Sequence, residues 1–334
     1  MRGVHTLPLP TPFPVGDVNA YLLEGSPPIL IDPGLRWPPA QAALVEGLAR
    51  IGRRPADIGR ILLTHGHLDH AGAAFALARQ HGATVCLHAR SSLLEPTTPA
   101  FRAELRGYLR RCGMPEAEAG AALGYLERGQ ELADPDATGV HLERWWGGET
   151  LPGEEFALEV LATPGHSPDG LCFFDQTSGV LFAGDTLLPG ITPNPLLHLE
   201  PDHAWRRTPS LLRFLDSLDR VAARPLTSAH PGHGPLITDP RALIARYREF
   251  TRRRGLLFRR RLSPASATPY GLARAVFPQT DPLNLFLALS ETLAYLDLLE
   301  QEGAVLVDWE GEPIRLRTGP GDRPARTPID EEAG

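Results

Sequence analysis

The chain has 334 residues, 42% of them apolar, a formal net charge of −7, and 33 glycines with 34 prolines. That length suits one large domain with a smaller companion, and the apolar content excludes a disordered or fibrous chain. The acidic balance argues against a nucleic-acid binder as a whole, and three scattered cysteines, Cys86, Cys112 and Cys172, exclude a disulfide framework.

The N-terminus shows no basic segment followed by an apolar run, and no stretch reaches the ~20 apolar residues of a membrane span. A cytoplasmic location without membrane contact is therefore the expectation. Residues 18–23 (VNAYLL) and 28–32 (PILID) read as short strands around a Gly-Ser-Pro turn. A helix is predicted over 38–51, with proline in its first turn and Gly52 past its end. Ile61-Leu62-Leu63 reads as a buried strand running into Thr64-His65-Gly66-His67. A helix over 71–81 and a strand over 84–88 complete a β-α-β rhythm whose apolar strands need covering helices.

Residues 92–147 break this rhythm. Helical segments over 101–112 and 115–130 precede a polar stretch to Trp145-Trp146. The segment reads either as an inserted helical cap or as an ordinary surface excursion. Strands resume at 156–162, 171–175 and 179–183, a helix covers about 203–223, and a strand over 225–229 ends at His230-Pro231-Gly232-His233-Gly234. Residues 239–275 then carry ten arginines against Asp239 and Glu249, a local charge of +8. An amphipathic helix over 284–302 is stopped by Gly303, and 304–309 with 313–317 reads as a hairpin. Helices followed by a hairpin suggest a small winged-helix-like module over 239–318, with 319–334 as a mobile tail. The amphipathic helix also offers a contact for a homodimer.

The chemical signal is Thr64-His65-Gly66-His67-Leu68-Asp69-His70. Three histidines and an aspartate fall within six residues, straight after a buried strand. Imidazoles and carboxylates are the ligands that zinc takes, and iron and manganese accept the same set. Three more candidates follow predicted strands: His166 in Thr163-Pro164-Gly165-His166, Asp185 in Gly184-Asp185-Thr186, and His233 in Pro231-Gly232-His233-Gly234. Strand ends are where α/β sheets collect functional residues. His5, His81, His88, His141, His198 and His203 have no such cluster and read as ordinary residues.

This order of motifs resembles the metallo-β-lactamase superfamily over about residues 5–238. The resemblance implies an αββα sandwich with the site at one edge. It implies that His65, His67 and His166 bind one metal, that Asp69, His70 and His233 bind a second, and that Asp185 bridges both. Asp32, in Leu30-Ile31-Asp32-Pro33-Gly34, matches a supporting aspartate, with Pro33 where Thr or Ser is usual. His230 is a candidate supporting donor or a solvated loop histidine. Two Zn²⁺ ions sharing Asp185 would make hydroxide available near neutral pH for attack on an electrophilic centre, with Asp69 orienting the nucleophile.

Within the superfamily, Gly184–Asn194 and the stretches 288–296 and 302–305 resemble glyoxalase-II-like hydrolases with a C-terminal winged-helix module. Thioester, ester or lactone hydrolysis of a small molecule is the first reading. An endoribonuclease acting on single-stranded RNA is the second, with the arginines of 246–261 tracking the backbone. The same arginines also fit a solvated helix face, since Leu243, Tyr247, Phe250 and Leu257 form an apolar stripe. A nucleic-acid-binding regulator using the winged helix is the third. True β-lactamase action is disfavoured, because it belongs outside the cytoplasm.

Overall fold

A computed structural model describes residues 3–94, 98–200, 206–263, 267–278 and 281–320. Two β-sheets stack face to face. The first has six strands in the order β1 (Val4–Leu9), β2 (Val18–Leu23), β3 (Ile29–Ile31), β4 (Arg60–Leu62), β5 (Thr84–His88) and β6 (His141–Trp145). The second has five, in the order β11 (Ser228–Pro231), β10 (Val180–Gly184), β9 (Leu171–Asp175), β8 (Ala157–Ala162) and β7 (Thr150–Pro152). Because side chains alternate across a strand, each sheet feeds two cores. Tyr21, Leu23, Ile31, Leu62 and Cys86 meet Leu158, Val160, Phe173 and Phe182 between the sheets. Leu22, Leu30, Ile61 and Val85 point the other way, onto α1 (Pro38–Arg50) and α3 (Ala74–His81). Leu161, Phe174 and Leu181 of the second sheet cover α6 (Ser210–Ala222). Helix, sheet, sheet, helix is the αββα sandwich expected.

Direction matters for the site. β8, β10 and β11 run the same way: β9 is antiparallel to both β8 and β10, and β10 is parallel to β11. Their C-terminal ends therefore share one edge. β4 reaches that edge too, since Leu171 N donates to Thr64 O at 2.6 Å just past the strand.

Several boundaries differ from the sequence reading. Strand β1 is absent from that reading, because Pro8 and the short alternation mask it. The helix predicted over 71–81 is preceded by a separate short turn, α2 (Leu68–Ala71), which carries Asp69 and His70. The helix predicted over 203–223 begins at Ser210, and 201–205 lie outside the described residues. Among the described residues, the break over 92–147 holds a short 3-10 turn at Ser92–Leu94 and the helices α4 (Pro99–Arg111) and α5 (Glu116–Gln130). Residues 141–145 are instead β6, paired in parallel with β5, so the insertion ends before the final strand of the first sheet.

Beyond β11, α7 (Pro240–Arg261), α8 (Pro269–Val276) and α9 (Pro282–Gln301) precede the hairpin β12 (Val305–Asp308) and β13 (Arg315–Thr318). The predicted amphipathic helix, α9, is central rather than superficial. One side joins the core of the second sheet through Ala294, Tyr295 and Leu299, and another packs Leu285, Leu289 and Leu293 on Leu105, Leu109 and Ala122 of α4 and α5. Its buried faces are thus satisfied within the chain. Ser290 and Thr292 bond back to Phe286 O and Ala288 O, so their hydroxyls are satisfied in the core. Arg207 and Asp297 close this region with two hydrogen bonds of 2.6 and 2.5 Å. Residues 321–334 of the expected tail lie outside the described residues. Among the described residues no helix is long and apolar enough to cross a membrane.

Phe258 of α7 is fully buried and stacks on Tyr295 at 4.9 Å. Phe258→Ala should cost about 3–5 kcal/mol of stability, the usual range for removing a core aromatic, read as a lower urea midpoint at unchanged slope. Burial pushes the Cys86 and Cys112 thiols up to about 12 and Cys172 up to about 11. Native protein at pH 8 should therefore resist a thiol reagent at all three cysteines, and all three should react after denaturation. Rapid labelling of the native chain would contradict this burial.

Candidate active site

The edge where the strands end gathers all seven residues singled out in the sequence. His65 and His67 lie in the turn after β4, and α2 brings Asp69 and His70 back toward them. His166 follows β8, Asp185 follows β10, and His233 follows β11. His65 Nε2 lies 2.9 Å from His67 Nδ1, which is 3.0 Å from His166 Nε2. Asp69 Oδ2 is 3.3 Å from His233 Nε2. Asp185 stands between the groups: Oδ2 is 3.5 Å from His166 Nε2, and Oδ1 is 3.3 Å from His70 Nε2. Three overlapping sets could each hold a cation: His65, His67 and His166; His65, His70 and Asp185; Asp69, His70 and His233.

The outward nitrogens are fixed by the fold. Asp32 Oδ2 faces His70 Nδ1 at 2.8 Å. The Asn194 carbonyl takes His166 Nδ1 at 2.9 Å, and the Asp17 carbonyl takes His233 Nδ1 at 2.8 Å. With Nδ1–H donating outward, each ring turns its Nε2 lone pair inward. Asp32 does more. It sits at φ 51°, a left-handed conformation uncommon outside glycine. From there it accepts from Thr64 N at 2.8 Å and Thr64 Oγ1 at 2.6 Å.

The site is largely buried and built for positive charge. His70 Nε2, Asp185 Oδ1 and His233 Nε2 are buried yet have no hydrogen-bond partner. Buried polar atoms without partners are rare, and these three converge on one space. Burial pushes the Asp185 carboxyl up, but the imidazoles of His70, His166 and His233 outweigh this and hold it well below the usual range. Burial likewise depresses His65 strongly and takes His67 to about 3, keeping both neutral. His70 goes the other way, since Asp185, Asp32 and Asp69 outweigh its desolvation. Neutral imidazoles beside ionised carboxylates are the states that bind cations, and a cation would supply the charge His70 otherwise takes up. The donor set therefore fits divalent metal.

Glycine makes room for this arrangement. A Cβ on Gly232 would fall 2.3 Å from Asp185 Oδ1 and 2.6 Å from His70 Cε1. Asn19 Nδ2 and Tyr21 Oη hold the same turn through Pro231 O at 3.1 and 2.6 Å.

Two residues escape the sequence reading. Asp169 is fully buried, accepts from Gly66 N at 3.0 Å and Ser91 Oγ at 2.9 Å, and also takes the Ser167 hydroxyl. It ties the loop of His67 to that of His166, and its place three residues after His166 is the available signal. His198, ordinary by sequence, stacks on His67 at 6.3 Å and 15°; it has no motif. His230, the candidate supporting donor, packs between Tyr21 and Phe182 at 5.0 and 5.1 Å. Among the described residues it bonds none of the seven.

A family model described as the metallo-beta-lactamase superfamily matches residues 13–247. The probable metallo-hydrolase YqjP of Bacillus subtilis strain 168 is 31% identical over 321 residues, covering 95% of this chain and 98% of that protein. The crystal structure of a metallo-beta-lactamase family protein from Thermus thermophilus is 33% identical, covers 95% of this chain and 99% of that one, and superposes with a TM-score of 0.72. Two relatives match more narrowly. A hydroxyacylglutathione hydrolase of Haemophilus influenzae is 28% identical over 145 residues, 43% of this chain and 56% of that protein. An atrochrysone carboxyl ACP thioesterase of Aspergillus fumigatus is 26% identical over 223 residues, 66% of this chain and 51% of that protein. The matches span about half the length of these last two relatives.

Gly232→Ala should disorder the meeting of Asp185 with His70. We expect a folded protein by circular dichroism that retains well under half the metal of the parent by elemental analysis. Full metal content in this variant would show that the close approach is not needed.

Proposed function

Since this chain belongs to the metallo-β-lactamase superfamily and is a metal-dependent hydrolase, as its relatives' names agree, we propose that it carries two metal ions and cleaves a small thioester, ester or lactone. The observation that carries this reading is the pair of triads sharing one carboxylate. His65, His67 and His166 would hold one ion, Asp69, His70 and His233 the other, and Asp185 both. Seven ligands exceed one tetrahedral zinc and suit two ions. Zinc is the first choice, and iron or manganese suit the same donors.

When bound, such ions supply Lewis acidity and lower the pKa of water. The chain supplies the rest. Asp32 and the carbonyls of Asn194 and Asp17 keep three imidazoles oriented before substrate arrives. Asp69, with one carboxylate oxygen beside His233, is placed to orient the attacking water by accepting its hydrogen bond. Burial of the site strengthens each electrostatic contact to the developing oxyanion.

The names of relatives support the thioester class, one as a hydroxyacylglutathione hydrolase and one as an acyl carrier thioesterase. The ribonuclease reading leans on the arginines of α7, and many of these are already engaged. Arg248 meets Asp219 at 2.5 Å, Arg252 and Arg253 share Glu249, and Arg241 donates to the carbonyls of Ala222 and Arg224. That favours a solvated, locally neutralised face. A regulator using residues 239–318 as a winged helix would have no need of the seven ligands.

Elemental analysis after zinc supplementation should find about two metals per chain, matching two ions that share one ligand. A clean preparation holding none would remove the reading. Asp185→Asn should lower hydrolysis by more than about a hundredfold, beyond the loss usual for an outer partner, with the fold retained. A thioester panel run beside labelled single-stranded RNA at low and high salt decides the substrate class. We expect thioester turnover; RNA cleavage that fades with salt would favour the ribonuclease.

A further inference from the structure

A cavity lies beside the cluster of candidate ligands, not within it. It measures about 480 Å³ and runs between segment 190–195, α6, α7 and α9. Along α7 its wall is Leu243, Arg246, Tyr247, Phe250, Thr251 and Arg254. These recur at spacings of three and four, one face over three turns, about 16 Å at 1.5 Å per residue. The cleft is thus long enough for an extended chain rather than a compact ligand.

Its polar groups select the chemistry. Asn194 Oδ1 and Glu291 Oε1 are buried and accept no hydrogen bond. Glu291 Oε1 lies 3.2 Å from Arg254 Nε as an ion pair, out of line for a hydrogen bond. Both acceptors await N–H or O–H donors. Arg246 is exposed on the cleft wall and has no acidic partner among the described residues. Ile191 and Phe250, 53% and 37% exposed, offer apolar surface at the opening. A plain hydrocarbon chain would leave Asn194 Oδ1 without a donor and Glu291 Oε1 with its ion pair alone, and a lone phosphate would leave the apolar wall unused.

We propose that this cleft binds the phosphopantetheine arm of a thioester substrate. Amide N–H groups of the arm meet Asn194 Oδ1 and Glu291 Oε1, its methyl and methylene groups lie on Tyr247 and Phe250, and its phosphate pairs with Arg246. This rests on the thioester reading above and narrows it. The cleft and the ligand cluster share a wall. The Asn194 carbonyl holds His166, and the Tyr247 hydroxyl accepts from Leu188 N at 2.7 Å and reaches Leu188 O at 2.6 Å, three residues past Asp185. An arm in the cleft therefore lies against the segment that orients the site.

The test is calorimetry on the full-length, zinc-supplemented chain. One probe is S-methyl-phosphopantetheine, whose thioether is no thiolate ligand; the other is S-methyl-pantetheine, which lacks the phosphate. We expect one site per chain, with binding about tenfold weaker without the phosphate, the scale of one charge-assisted contact. Arg246→Glu should erase that tenfold preference. Arg248→Glu, on the same helix but paired with Asp219 and off the cleft, should keep it. No binding of either probe, equal binding of both, or a preference that survives Arg246→Glu would overturn the proposal. Turnover then separates the sources. A higher kcat/KM for a coenzyme A thioester or for a carrier-protein thioester, against an armless thioester of the same acyl group, supports the arm and identifies its carrier; equal values for all three overturn it. Probe binding without hydrolysis of any thioester would keep the cleft and remove the thioester reading, and armless turnover without probe binding would do the reverse.

Discussion

Asp32 is 2% exposed, and its carboxylate has no water to lean on. It is stabilised by the amide and hydroxyl of Thr64 and by the ring of His70. A buried carboxylate is costly unless fully bonded, so these contacts fix where the turn after β4 and the short helix α2 must sit. His65 and His67 leave from that turn and His70 from that helix. The opposite nitrogen of His70 then faces Asp185. One buried acid thus aligns the first sheet with Asp185 of the second.

The two sheets supply the frame for this alignment. Their shared core, from Tyr21 and Leu62 across to Phe173 and Phe182, sets the separation between β4 and β10. Close backbone approach does the rest. Gly184 carries φ 47°, and a Cβ there would meet Thr64 Cβ at 2.6 Å. Such contacts leave little room for these turns to shift, and with the hydrogen bonds on the outward nitrogens they keep the inward nitrogens converging.

The C-terminal helices are integrated with this frame. Phe258, Ala294 and Val305 share a core with Phe174 and Leu181 of the second sheet, and α9 is clasped by α4 and α5 on another side. Segment 190–195 is caught between the two regions. It serves His166 with one carbonyl and lines the cleft with its side chains. The cleft wall and the orientation of His166 are therefore built on the same six residues.

The sequence by itself picked out the seven candidate residues that the fold brings together, because a signal this specific is local: a histidine-rich turn after an apolar strand, and Gly-His or Gly-Asp pairs after three others, can be read without knowing how the strands pack. Its apolar runs also marked a β-α-β rhythm with covering helices, and the αββα layering came from the resemblance that the motifs carry. What it missed depends on contacts distant in the chain. Strands β1 and β6 are stabilised by partners, Leu23 back to Val18 for one and the parallel β5 for the other, rather than by their own alternation. The amphipathic look of α9 gave no sign that a second core, from residues 105–123, would cover its other side. The bracing roles of Asp169 and Asn194 are not local, since a brace is defined by the group it touches 103 or 28 residues away. Only the tertiary structure decided these, because burial and hydrogen-bond satisfaction are properties of the packed chain.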